Sequence, residues 1–214
     1  IQSFGMTTGS LSWIKRLIDH QKSDLAGVPR NQFLAIVLVS LLGALPAMLI
    51  TQWFNVFSQE QALYLFKGFS LLLGLALLIA NITGVRDPAV RTSVHKADLI
   101  ILFLLSILGG VATALFSVGV GELMALYLFL RHYPLTTAVA PAVIVSAISV
   151  ITGSMHHIAA GTVLWEIVVL AVPGAMIGAW LARRLAIAIR LRTLKLFTAL
   201  WIIVSSSWLI VSNI

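Results

Sequence analysis

The chain has 214 residues and a mass of 23.1 kDa, with 60% hydrophobic residues, only 10% charged and a mean hydropathy of +1.05. Soluble domains carry about 25% charged residues, and so small a globule has too little interior to hide the uncharged runs 33–59, 68–85, 99–121 and 133–155. Composition excludes a disordered chain, and the lack of any cysteine excludes a disulfide scaffold, thiolate chemistry and Cys-based metal sites. A multispan membrane protein is the expectation.

Hydrocarbon about 30 Å thick offers the backbone no hydrogen bonds, so each span must be a helix or part of a closed barrel. Barrel strands are short and alternating, whereas these runs are long and continuously apolar. In chain order, residues 1–10 read as the end of a helix, followed by predicted spans at 32–52 and 62–82. A more irregular apolar region runs from Asp98 to Leu130, and further spans are predicted at 136–156, 162–182 and 194–213. The expected fold is all-α, a polytopic membrane protein.

The net charge of +7 is distributed by side of the membrane. Lys15, Arg16, Lys22 and Arg30 precede the first full span, Arg86, Arg91 and Lys96 follow the second, and Arg183, Arg184, Arg190, Arg192 and Lys195 form a third group. The opposite connections, near 53–61 and 156–161, hold Glu60 and two histidines but no lysine or arginine. This alternation places the basic groups in the cytoplasm. Short, separated groups that fit the spans are not the footprint of a nucleic-acid binder.

Lys96 and Arg131 then belong on the same side, so the apolar region between them must enter and return. Its middle, GGVATALFSVGVGE, contains Gly109, Gly110, Gly119 and Gly121, which permit nonhelical backbone or close packing. A glycine-rich broken or re-entrant helical hairpin satisfies the charges, and its free N–H groups would face an anion. Glycines at a tight helix contact are the alternative.

Residues 30–49 align without a gap to 161–180, pairing Gly43 with Gly174 and Ala44 with Ala175; the same offset pairs 62–79 with 193–210, including Leu65 with Leu196 and Phe66 with Phe197. One copy starts on the positive side and the other on the negative side, as inverted repeats do. TTGS at 7–10 also resembles ITGS at 151–154. The expected division is 1–96, an N-terminally incomplete first transmembrane repeat, and 97–214, the second.

Glu122 stands beside Gly119 and Gly121 in apolar surroundings, where an unpaired carboxylate is costly; it is a candidate for proton coupling, with a structural hydrogen bond as the alternative. Ser117, Gly119, Gly121, Thr137, Pro141 and Ser146 are the candidate substrate-binding set. Backbone N–H groups and small hydroxyls solvate an anion without buried charge, and Pro141 frees helix carbonyls; helix-to-helix hydrogen bonds would use the same hydroxyls. His156 and His157 form a candidate gate or an ordinary interfacial pair. No carboxylate accompanies them in their loop, so no metal site is expected. No GxSxG, Walker or dinucleotide-binding motif occurs, so neither an enzyme nor a cofactor is expected.

Residues 106–210 carry SILGGVATALFSVGVGELMALYLFL, YPLTTAVAPAVIVSAISVITGSMHHIAAGTVLW and PGAMIGAWLARRL in order, and this arrangement resembles the TauE/SafE family of sulfite and organosulfonate exporters. At GVGEL, Val120 and Glu122 stand where the family pattern has consecutive glycines. The resemblance implies a secondary transporter or exporter of a small inorganic or organic anion, in lipid, in a bacterial or archaeal plasma membrane. Two inverted halves would work by alternating access. The alternative function is a non-transporting membrane assembly or accessory protein. Nothing in the sequence specifies an oligomeric state.

Overall fold

A computed structural model describes residues 1–19, 27–54, 57–83, 91–161, 163–189 and 191–212. Of the residues singled out above, Lys22, Arg86 and Arg190 and the span limits 162 and 213 lie outside them. The described residues form eight α-helices and no strand: α1 Gln2–Asp19, α2 Arg30–Phe54, α3 Gln59–Thr83, α4 Lys96–Phe116, α5 Val120–Leu130, α6 Leu135–Ala159, α7 Trp165–Ala188 and α8 Leu191–Val211. Among the described residues, five segments are long and apolar enough to cross a membrane: Arg30–Phe54, Glu60–Ile79, Lys96–Phe116, Thr136–Ala159 and Trp165–Ala182.

The apolar region after Asp98 is more regular than its glycines suggest. α4 is an uninterrupted helix of 21 residues, about 32 Å long at 1.5 Å per residue. The helical break is confined to residues 117–119, and α5 that follows has only 11 residues. Glycine breaks a helix when packing demands another geometry, and at positions 109 and 110 packing demands only closeness. A Cβ on Gly109 would lie 2.6 Å from Val120 Cα, and one on Gly110 would strike the Ala44 carbonyl. α1 likewise continues beyond residue 10 to Asp19, with Trp13 buried on the way.

The core gathers where α2, α4, α5 and α6 meet, around Ile36, Leu102, Val120, Met124, Leu128 and Val145. α2 and α4 run parallel: Val94 N–H donates to Gln32 Oε1 at 2.7 Å near their starts, and a Cβ on Gly43 would lie 2.7 Å from Phe103 O further along. α5 returns antiparallel to α4, which puts Arg131 beside Asp98 and Val120 beside Gly109. Outside this core, α3 packs mainly on α8, and α1 packs on both α6 and α7.

Candidate functional site

After Phe116 the backbone turns in three residues. Ser117 takes the left-handed conformation, φ 62°, and its N–H donates to Thr113 O at 2.9 Å. Gly119 has φ +152°, and a Cβ there would lie 2.6 Å from Ala112 Cβ and 3.0 Å from Gly109 O. Only glycine combines that φ with that proximity.

The turn exposes the N-terminus of α5, whose first N–H groups lack helical acceptors and carry positive partial charge. Two of them are satisfied from within. Gly119 N–H donates to Glu122 Oε2 at 2.9 Å, and Val120 N–H donates to Thr113 Oγ1 at 3.3 Å. Glu122 thus caps the helix it belongs to.

Beside the turn lies a cavity of about 260 Å³ whose polar walls include Gln52 of α2, Thr113 of α4, Ser117, and Ser149, Ser154 and His157 of α6. The start of α1 closes another side, where Gln2 Nε2 donates to Ser117 O at 2.5 Å. Gly153 lets α2 come close enough to seat Gln52, since a Cβ there would be 3.1 Å from Gln52 Nε2. Ser149 Oγ and Gln52 Oε1 are both buried and have no hydrogen-bond partner among the described residues. Ser40 Oγ and Ser106 Oγ, buried in α2 and α4, share that condition.

Of the residues expected from sequence, Ser117 and His157 meet at this cavity. The His156 ring stands edge-on to His157 with centroids 5.7 Å apart. Gly121 and Ser146 meet each other instead, because the missing Cβ at 121 leaves room for the Ser146 hydroxyl. Pro141 is fully buried within α6. Thr137 is buried near Gly27, whose Cβ would lie 3.8 Å from Thr137 Oγ1. It lies about 18 Å along α6 from Ser149 at 1.5 Å per residue, so the structure does not bring it to Ser117.

The most connected polar group is one that sequence reasoning used only as a boundary. Asp98 is fully buried in the first turn of α4. Its carboxylate accepts from Tyr127 OH at 2.6 Å, Tyr133 OH at 2.8 Å, Arg131 Nε at 2.9 Å and His95 N–H at 3.3 Å, with Arg91 at 3.8 Å. Tyr133, in the turn before α6, has its phenol pushed up to about 12 by burial and then by the hydrogen bond to Asp98. Arg131 is raised above its usual value, first by its hydrogen bond to the same carboxylate. The local signal was the tyrosine pair flanking Arg131. Only the return of α5 tells which acid they serve.

Lys67 was also passed over. It is buried in α3, on the face that carries Gly74 against Ile202 and Ile203 of α8, and its ammonium lies 5.7 Å from the centre of the Tyr64 ring. A basic group inside an apolar span is costly enough to suggest a role.

Long apolar spans and a broken helix beside a polar cavity define the class: a multi-pass membrane protein. A family model described as Sulfite exporter TauE/SafE matches residues 17–209, and the chain belongs to that family. No curated protein and no solved structure matches it. Membership makes it a transporter rather than an enzyme.

Proposed function

We propose that the protein exports a small anion, of the sulfite or organosulfonate kind its family is named for, across a bacterial or archaeal plasma membrane by alternating access. The cavity at Ser117 carries this reading. It places neutral hydrogen-bonding groups beside a helix break toward the C-terminal ends of otherwise apolar spans, which suits an anion that must bind and leave.

Inverted repeats, with the glycine-rich hairpin 97–130 in the second, are part of the proposal. The packing supports them: with α1 paired to α6, α2 to α7 and α3 to α8, the contact of α1 with α7 becomes that of α2 with α6, and both occur. In this reading the Asp98 cluster seals the Lys- and Arg-bearing end while the cavity serves the other. Ser117 contacts cargo, Gly119 and Gly121 permit the turn and its approach to Ser146, and Pro141 and Thr137 shape α6 below the site. Glu122 couples movement to protonation, because a neutral carboxyl is a weaker acceptor for Gly119 N–H. His156 and His157 stand as the outer gate.

Purified protein in liposomes, loaded with sulfite, methanesulfonate, sulfate or small carboxylates and with the proton gradient varied separately, tests the proposal. Saturable flux of at least one anion, reduced by Ser117→Ala, is the expected result. Absence of flux for the whole panel would leave a non-transporting assembly role.

A further inference from the structure

Two unused hydrogen-bonding atoms in one cavity restrict what fits there. Ser149 is fully buried, and neither its hydroxyl nor Gln52 Oε1 has a protein partner among the described residues. Leaving such a buried group unsatisfied forfeits its hydration with nothing in return, so a retained pair points to a ligand or solvent that completes it. The two differ in chemistry: the hydroxyl donates and accepts, but an amide oxygen only accepts. A fully ionised oxyanion has nothing to give Gln52 Oε1.

The charge on the walls adds a second restriction. Neither lysine nor arginine lines the cavity; the titratable groups among the lining residues are the His157 side chain of α6 and the amino group of Ile1, ahead of α1, while α2 and α4 supply none. Glu122 of α5 and Lys67 of α3 are not among them. Withdrawing a dianion from water costs far more than withdrawing a monoanion, and without lysine or arginine on the walls little offsets the difference.

Resting on the anion-transport reading above, we infer that the cavity takes its cargo as a hydrogen-bearing monoanion, the cargo's own O–H donating to Gln52 Oε1 while the Ser149 hydroxyl donates to an anionic oxygen. Gln52 selects the protonation state and Ser149 serves any oxyanion. The proton crosses on the cargo, with no change in its bonding.

Sulfite and methanesulfonate separate the two roles, since sulfite loses its proton near neutral pH and methanesulfonate carries none at any pH used. Flux is measured in proteoliposomes with equal pH on both sides. Wild-type sulfite flux should fall several-fold relative to methanesulfonate flux between pH 6 and 8, the ratio cancelling any pH effect common to both anions. Gln52→Met should weaken sulfite flux at pH 6 several-fold more than methanesulfonate flux, and Ser149→Ala should weaken both anions to a similar degree while leaving thermal stability at or above wild type. If sulfite and methanesulfonate share one pH dependence, or if Gln52→Met weakens the two anions alike, the inference is overturned and solvent satisfies the pair. If the wild type moves neither anion nor any other in the panel, the transport reading itself fails.

Discussion

Asp98 Oδ1 and Arg131 Nε meet at 2.9 Å, joining the start of α4 to the residue that ends α5. With Tyr127 and Tyr133 on the same carboxylate, the two helices are tied at the foot, and the turn at 117–119 joins them at the other end. Movement of this pair is therefore expected to be that of a unit.

The carboxylate is fully buried, whereas the Arg131 side chain is 37% exposed, so the two partners should not be equivalent. Asp98→Asn removes the charge that several donors share and should cost about 2–3 kcal/mol. Arg131→Ala should cost less, about 1 kcal/mol at most, because solvent already screens the guanidinium. Thermal unfolding in detergent compares them, and equal losses would show that the pair, rather than the buried carboxylate, holds the end together.

Glycines of similar sequence context should answer differently to the same added methyl. Gly110 faces the Ala44 carbonyl, whereas Gly174 and Gly178 of α7 have nothing within 4 Å. Gly110→Ala should push α2 from α4 and destabilise by about 1–3 kcal/mol. Gly174→Ala and Gly178→Ala should leave the unfolding midpoint unchanged or raised, since alanine favours the helix.

Glu122 can be separated into cap and charge. Glu122→Gln retains an acceptor for Gly119 N–H, while Glu122→Ala loses the cap and should cost about 0.5–2 kcal/mol. If coupling to protons runs through this carboxylate, both variants should lose the effect of a proton gradient on flux, although only Glu122→Ala is destabilised. A Gln variant that keeps the gradient effect would remove Glu122 from coupling.

Tyr133 predicts a loss of stability in alkali. Its phenol is raised from 10.0 to about 12, so the folded state favours the neutral form. That contribution is fully present below pH 10 and disappears as pH rises through about 12. Absorbance titration of phenolate should show a late step that Tyr133→Phe reduces, because Tyr127 donates to the same carboxylate, and a Tyr133 step near pH 10 in the folded protein would contradict the geometry.

Much of the architecture follows from local chemistry. Long uncharged runs need lipid, and the placement of a few lysines and arginines brings 96 and 131 to one side; Asp98 and Arg131 do meet in the fold. The order of motifs from Ser106 onward carries the family, which the match over 17–209 establishes. Glycine content misleads in one respect, because Gly109 and Gly110 lie inside a continuous helix and only Gly119 marks the break.

Low charge and high hydropathy in the sequence were enough to name the solvent and four of the five long apolar segments found among the described residues, because those depend on the composition of each segment alone. Which face of each helix is interior depends on its neighbours, since lipid is as apolar as a protein core and leaves no polar stripe to read. The α6 and α7 spans have similar hydropathy, 1.9 and 1.7, yet their buried shares are 56% and 0%. For the same reason only the tertiary structure brings Gln52 and Ser149 from separate helices to one cavity and gathers three side-chain donors and the Arg91 cation around Asp98. A polar atom's role is decided by what packing places within reach of it.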